Sequence, residues 1–364
     1  MSTDIQNTTP TGNNKKIVVS GIRATGNLHL GNYYGALSKF VRMQDDYDCR
    51  FFIADLHALT THPAPKMLHE NVKQILAEYL AAGLDPDKNI LYVQSDIPEI
   101  SEMYLLMNMH VGIGELMRTA SFKDKARKAL GIAPADDSED IEKQIIGNQT
   151  NQRVNAGLLT YPTLMAVDIL IHHADFVPVG KDQEQHLELT RRFARRFNSF
   201  YGVDYFHEPV NFNFGGNAIK VPGLDGSGKM GKSEGNCIYL IDEEKVLRKK
   251  VMRAMTDEGP KEPNQTPSLP IANLFTLMEL VSEPETVQFF KNAYADCSIR
   301  YGDMKKQLAE DILKVTLPIR QRILDIRDND EYLSKVVREG AERARAFAAD
   351  TLSDVRSIMG IRKI

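Results

Sequence analysis

From Lys15 onward, short runs of β-branched and aromatic residues alternate with longer segments of helical apolar spacing, and this alternation restricts the possible folds more than any other feature. It is the signature of parallel βαβ units. Lys16–Ser20 (KIVVS) reads as the first buried strand, Cys49–Ala54 (CRFFIA) as the second and Asn89–Gln94 (NILYVQ) as the third. Between the last two, Met67, Val72, Ile75, Leu76, Tyr79 and Leu80 share one helical stripe, with Gly83 placed to cap its C-terminus. The expectation is an α/β fold with a doubly wound parallel sheet. Ligands of such sheets sit beyond the carboxyl ends of the strands, which points to residues 20–32 and 55–57.

A chain of 364 residues has room for two domains, each with its own core. Residues 126–155 are charged, punctuated by Gly and Pro and short of apolar side chains, so they read as an insertion. After about residue 241 strand signals fade and helical periodicity continues to the end, with Pro260, Pro263, Pro267 and Pro270 at the boundary. The expected division is a disordered tail over 1–14, an α/β domain over 15–240 and an all-helical domain over 241–364.

The net charge of -4 excludes a strongly basic, histone-like binder, although a local basic face remains compatible with nucleic acid. Cys49, Cys237 and Cys297 are scattered and odd in number, which argues against a disulfide framework or a zinc site and fits a reducing, cytoplasmic setting. The polar N-terminus has no signal-peptide core and no stretch reaches the apolar length of a membrane span. Neither a membrane nor a DNA partner is expected.

Two glycine-rich segments compete for the role of phosphate site. Gly226–Ser233 (GSGKMGKS) satisfies the phosphate-loop pattern, whose mechanism needs a buried strand before it and a helix directly after it. Its upstream flank is broken by Gly and Pro, and CIYLID downstream reads as a strand, so the match looks accidental. The second segment, GIRATGNLHLGNYYGAL over residues 21–37, follows the first strand directly. Tyr34, Leu37 and Val41 begin a helical stripe there, which places His29–Asn32 at a helix N-terminus, where anions bind favourably. By itself this is equally compatible with a loop histidine and a capping asparagine.

Taken in pairs, these motifs resemble a known family. His29-Leu30-Gly31-Asn32 is similar to the HIGH signature of class I aminoacyl-tRNA synthetases, and Lys229-Met230-Gly231-Lys232-Ser233 to their KMSKS signature. More narrowly, SGIRATGNLHLGNYYGAL, GIGELMRTASFKDKA, YPTLMAVDIL and VPVGKDQEQHLELTRRFARRFN resemble, in that order, the tryptophanyl branch of the family. The resemblance implies a Rossmann-like catalytic domain followed by a helical anticodon-binding domain. It also implies activation of tryptophan by ATP with Mg²⁺, transfer to tRNA(Trp), and a homodimer.

By that resemblance, Gly21, Arg23, His29, Gly31, Asn32, Lys229, Met230, Lys232 and Ser233 address ATP. Lys229 and Lys232 neutralise the departing pyrophosphate, supported by Lys123 and Lys125, and Mg²⁺ rides on phosphate oxygens with no protein side chain as ligand. Asp168 would accept the indole N–H, Tyr161 and Gln183 would address the α-amino group, and Met165, Val177, Val179 and Val19 would shape the apolar slot. The residues themselves agree. Thr160-Tyr161-Pro162 offers a helix start that sets Tyr161, Met165 and Asp168 on one face, and a carboxylate in the run LMAVDILI needs a partner. A ligand donor is the favoured partner, and a neighbouring N–H or Arg is the lesser alternative. His57, at the end of the second strand, is either a ligand contact or a packed, hydrogen-bonded histidine.

Arg191, Arg192, Arg195 and Arg196 form a basic face suited to tRNA phosphates or to acidic neighbours. His172-His173 reads as structural, and Met103, Met107 and Met109 as core or dimer-interface packing. The sequence also departs from the family. Gly231 replaces the signature serine, so the loop should be unusually flexible, and Arg23-Ala24 replace the usual Gln-Pro. Three rivals remain: a tyrosyl-tRNA synthetase, a non-catalytic relative sensing tryptophan or tRNA, and a phosphate-loop NTPase with a helix beginning at Lys232.

Overall fold

The computed structural model describes residues 15–131, 154–180, 183–212 and 220–361. Among these, β1 (Ile17–Arg23), β2 (Asp48–Ala54), β3 (Ile90–Val93), β4 (Phe176–Val177) and β5 (Val210–Asn211) form one parallel sheet ordered β3-β2-β1-β4-β5. This is the doubly wound, Rossmann-like architecture read from the sequence. β1 runs on to Arg23, beyond its expected end, while β4 and β5 are two-residue strands too short to carry a periodic signal. Strand order reverses between β1 and β4, and the crevice beyond their carboxyl ends is where such a sheet offers a binding site.

Alternation along the strands divides the core. Val18, Phe51, Ile53, Leu91 and Val93 face one layer, whereas Val19, Phe52, Ala54, Ile90 and Tyr92 face the other. The Pro65–Ala81 helix covers the first face with Ile75, Leu76, Tyr79 and Leu80, and Gly83 follows it at φ 110. Met67, expected on that stripe, is 57% exposed because it lies in the helix's first turn, ahead of the sheet. The opposite face is covered by the Tyr161–Leu170 and Glu184–Tyr201 helices.

Five helices follow residue 241 among the described residues: Glu244–Met252, Leu269–Val281, Pro284–Ala295, Tyr301–Arg327 and Asp330–Ile358. The last returns to the sheet and lies along the edge strand β3. Buried Ala341, Ala344 and Ala348 allow a close approach, and a Cβ on Gly340 would stand 1.7 Å from the Leu91 carbonyl oxygen. Arg343 donates to the carbonyls of Pro86 and Asn89 at 3.1 and 3.0 Å. The helix thereby covers an edge that would otherwise be open to a further strand.

The expected tail over 1–14 lies outside the described residues, as do residues 132–153 of the expected insertion. Ala126 is buried inside the Ala120–Leu130 helix, and Asn155 already caps the Ala156–Leu159 helix, so neither end of that segment is loop. His172 is buried, with Nε2 at 2.8 Å from Tyr92 Oη and Nδ1 at 3.3 Å from the Arg50 guanidinium, a structural role as read.

Candidate active site

The turn after β1 builds its own scaffold. His29 caps the helical segment made of Leu30–Asn32, a π-helical stretch Tyr33–Leu37, and Ser38–Met43. His29 Nδ1 accepts the Asn32 N–H at 3.3 Å, and Asn32 Oδ1 accepts the His29 N–H at 3.1 Å. A Cβ on Gly31 would lie 2.8 Å from the His29 ring, so glycine is what lets the ring fold over the cap. The reciprocal cap uses one acceptor of each side chain and assigns the histidine proton to Nε2. His29 Nε2–H and the Asn32 amide protons remain as donors. Burial, then the charges of Lys232 and Lys229, lower the His29 pKa to about 4, so the ring is a neutral donor at pH 7.

Gly226–Ser233 crosses above this turn. Lys232–Glu234 make a single 3₁₀ turn and no helix follows until Glu244, so the NTPase reading fails. CIYLID is not a strand either; only Tyr239 forms a bridge, to His29, while Cys237, Ile238 and Leu240 are buried. The loop is wound around one side chain. Asn236, 4% exposed, accepts the Gly231 N–H at 2.9 Å, and its Nδ2 lies 3.0 to 3.1 Å from Asp225 Oδ1, Ser227 Oγ and the Lys229 carbonyl. Asn273 of the helical part donates to the Ser227 carbonyl at 2.8 Å. In this glycine-rich loop the asparagine hub ties four positions to one buried side chain.

Within this loop Met230 is 1% exposed and packs in the core, donating its N–H to the Val221 carbonyl at 2.8 Å. Its side chain anchors the loop between two lysines. Lys229 is exposed, and Ser233 Oγ donates to Glu234 at 3.0 Å. Lys232 Nζ donates to the Gly26 carbonyl at 2.7 Å and lies 3.4 Å from that of Thr25, which joins the two lysine- and histidine-bearing segments directly. Arg23, at the end of β1, has a buried Nε without a hydrogen-bond partner among the described residues. Its charge, after burial, lowers the pKa of Lys125 to about 8, and it acts on Lys232 in the same direction.

The remaining predicted residues belong to the second core layer. Val19 and Val177 are buried in that layer, and Met165 and Val179 are partly buried against it. Asp168 is 2% exposed. Its Oδ2 is 2.8 Å from His57 Nε2, and Gln94 Nε2 donates to both carboxylate oxygens at 2.8 and 3.0 Å. Burial raises the Asp168 pKa, and the bonds from His57 and Gln94 oppose that shift. The Tyr161 ring lies 4.5 Å from that of His57, with Lys125 Nζ 3.8 Å above it. His186 links Gln183, at 2.8 Å, to Ser121 Oγ, at 2.6 Å.

Thus His57, Tyr161, Asp168 and Lys125 come together in one chain of contacts, and Lys232 meets the turn that His29 and Asn32 cap. Lys123 has no ion pair among the described residues. Gly21 is explained within the chain itself, since a Cβ there would lie 2.6 Å from the Phe52 ring. Thr160 does not cap its helix; its hydroxyl donates to the Ala156 carbonyl at 2.8 Å. The four arginines of the basic face are paired, Arg191, Arg192 and Arg195 with Glu188 and Arg196 with Glu115, so the acidic-neighbour reading is the one the structure shows. Sequence reasoning missed Gln94, Asn236, His186 and Glu78. Only Gln94 carried a usable signal, as the last residue of the third strand run, where the strand-end rule applies.

A Rossmann-like sheet whose first turn meets a lysine loop across the switch point is the arrangement of the class I tRNA synthetases. The family model described as tRNA synthetases class I (W and Y) matches residues 11–316. The chain is 58% identical over 345 residues to the tryptophan–tRNA ligase of Porphyromonas gingivalis, covering 95% of this chain and 99% of that one. The corresponding enzyme of Fusobacterium nucleatum is 38% identical over 343 residues, covering 94% and 97%. Among solved structures, tryptophanyl-tRNA synthetase from Campylobacter jejuni complexed with ADP and tryptophan superposes with a TM-score of 0.79 at 29% identity, covering 94% and 99%. The chain belongs to the tryptophanyl branch of the class I tRNA synthetases.

Proposed function

We propose that this chain activates tryptophan with ATP and transfers it to tRNA(Trp). The observation that carries the reading is the meeting of Lys232 with the Thr25–Gly26 carbonyls, next to the His29 cap, across the switch point from the Asp168 pocket. The tryptophan carboxylate attacks the α-phosphorus of ATP, the bond to the β-phosphate oxygen breaks, and pyrophosphate leaves with the electron pair. The ribose hydroxyl at the tRNA 3′ end then attacks the acyl carbonyl and AMP departs. No side chain becomes acylated, so catalysis rests on alignment and charge neutralisation.

In this reading His29 Nε2–H and Asn32 hold ATP phosphate oxygens, Gly21 and Gly31 keep the backbone low, and Met230 and Ser233 space the lysine loop. Lys229 and Lys232 take the charge of the leaving pyrophosphate, with Arg23, Lys123 and Lys125 in support. Asp168 accepts the indole N–H within the slot of Val19, Met165, Val177 and Val179, flanked by His57, while Tyr161 and Gln183 receive the α-ammonium group. Mg²⁺ supplies further charge neutralisation and arrives on the phosphates.

The helices after residue 241 are assigned to anticodon binding, where unstacked bases are read by side chains. A homodimer is supported by an apolar corner: Leu105, Met109, Ile113 and Phe200 are 56%, 69%, 66% and 71% exposed, with Phe200 against His110. No helix among the described residues is long and apolar enough to cross a membrane, and we place the protein in the cytoplasm. The test is ATP–pyrophosphate exchange with each of the twenty amino acids. Exchange should depend on tryptophan; exchange with tyrosine alone, or with none, overturns the reading.

A further inference from the structure

A buried carboxylate beneath the ATP turn has no part in the chemistry above. Glu78 of the Pro65–Ala81 helix is 0% exposed. Its Oε2 accepts the Leu28 N–H at 2.9 Å and its Oε1 accepts Gln74 Nε2–H at 2.9 Å. Asn71, Gln74 and Glu78 lie three and four residues apart on one helix face, and Asn71 donates to the Ala24 carbonyl at 3.2 Å. Both ends of the 24–28 segment are thus tied to this helix. The segment is also tied to the end of β2, through the Ala24 N–H on the Ala54 carbonyl at 3.4 Å, and to the lysine loop and its continuation, through Lys232 on Gly26 and the Leu240 N–H on the Leu28 carbonyl at 2.9 Å.

We propose that Glu78 is a positioning residue for ATP, its carboxylate fixing the Leu28 N–H and through it the His29–Asn32 turn. The proposal rests on the reading of that turn as the ATP site. A tie between helix and loop needs only a neutral acceptor, yet the chain buries an ionisable group there, at a desolvation cost. A carboxylate returns stronger bonds: it accepts from two N–H groups at once, and charge-assisted hydrogen bonds are about twice as strong as neutral ones. Glu78 also stands in the field of Lys232, the cation that moves between loop carbonyls and phosphate in this reading. Losing the contact would leave the turn attached on one side to the segment that has to accommodate ATP.

The experiment is tryptophan-dependent ATP–pyrophosphate exchange on the full chain, comparing wild type, Glu78→Gln and Glu78→Ala. Gln is isosteric and keeps an acceptor for Leu28, while the Gln74 amide can turn to present its oxygen. The Michaelis constant for ATP should rise about threefold in Glu78→Gln and about tenfold in Glu78→Ala, with that for tryptophan within about twofold of wild type. If Glu78→Ala does not fold, Glu78→Gln carries the test through its pH profile. Burial raises the Glu78 pKa to about 7, so the wild-type ATP constant should fall as pH rises through 7, relative to Glu78→Gln. Ionisation of ATP itself is common to both proteins and cancels in that ratio. Of the facing groups, His29 at about 4 and Cys237 at about 11 titrate elsewhere, and Lys229, Lys232 and Arg23 are the cations present in both. Equal ATP constants and equal pH profiles, or parallel rises for ATP and tryptophan, overturn the proposal. A wild type inactive with every amino acid overturns the functional reading and this proposal together.

Discussion

The two halves of the crevice solve the burial of charge in opposite ways. In the Asp168 pocket the carboxylate comes from a helix whose neighbours are almost all buried, and it is satisfied before any ligand arrives by His57 from the end of β2 and Gln94 from the end of β3. In the lysine loop the cations are carried on irregular backbone, Lys229 is exposed, and Lys232 rests on carbonyl oxygens with no carboxylate in direct contact among the described residues. A fixed acceptor in a rigid wall can discriminate between side chains. A cation on neutral carbonyls can be surrendered to a phosphate without breaking an ion pair. In the proposed reading, the selecting half is thereby built into the core, and the half that meets changing charge is built on a strap.

Removing the mobile cation should break the comparison most strongly. Lys232→Ala is expected to lower kcat for tryptophan-dependent exchange by about 10²- to 10³-fold, the scale for deleting one preorganised group that stabilises transition-state charge. Tryptophan affinity, read by equilibrium binding, should stay within about twofold, because the pocket owes nothing to the strap. A comparable loss of tryptophan binding would show that the halves are not separate. Asp168→Asn is the converse. The new amide replaces an ionic acceptor by a neutral one and turns a donor toward Gln94 or His57, so the Michaelis constant for tryptophan should rise by about 10- to 100-fold, with that for ATP little changed. Unchanged tryptophan affinity would exclude the indole contact.

The same division explains what the sequence disclosed. β1, β2 and β3 and the helix between the last two were legible because apolar periodicity is a local record of burial, and the strand-end rule then located His57 and the His29 turn. Asp168 stood out as a carboxylate in an apolar run. Its partners were not legible, because pairing across 111 and 74 positions leaves no local pattern. Asn236 and Glu78 were overlooked for a related reason: one is an ordinary polar residue after a glycine, the other a charged residue on a helix whose remaining charges face solvent. The order they impose is tertiary. The return of the Asp330–Ile358 helix to β3 is also a long-range event, marked in the sequence only by small residues at Gly340, Ala341, Ala344 and Ala348.

Asn236 offers a gentler way to sharpen the contrast, since it alters the strap without touching a cation. Asn236→Ala leaves the Gly231 N–H and the Lys229 carbonyl without their side-chain partner, so Lys229 and Lys232 keep their charge and lose their template. An increase of about tenfold in the Michaelis constant for ATP is expected, with tryptophan binding unaffected. Steady-state exchange at varied ATP measures it. An unchanged constant would mean that bound ATP, rather than Asn236, orders the loop.

The smallest effect is expected at Gly231, where the family signature has serine. The backbone there is extended, with φ -148 and ψ 139, a conformation open to any residue. A Cβ would meet nothing closer than Glu234 Cγ at 3.4 Å, the far part of an exposed and flexible side chain. The only bond made by Gly231 to the hub is through its N–H, which serine retains. Neither sterics nor hydrogen bonding therefore requires glycine, in contrast to Gly226, whose φ of 79 and contacts with Met255 and Pro270 do. Gly231→Ser should leave kcat and the Michaelis constant for ATP within about twofold of wild type, since compatible Gly replacements act mainly by reducing freedom in the unfolded chain. A collapse of activity would show that the strap moves through a conformation at residue 231 that a side chain cannot follow, and order in the resting loop would then be no guide to its working state.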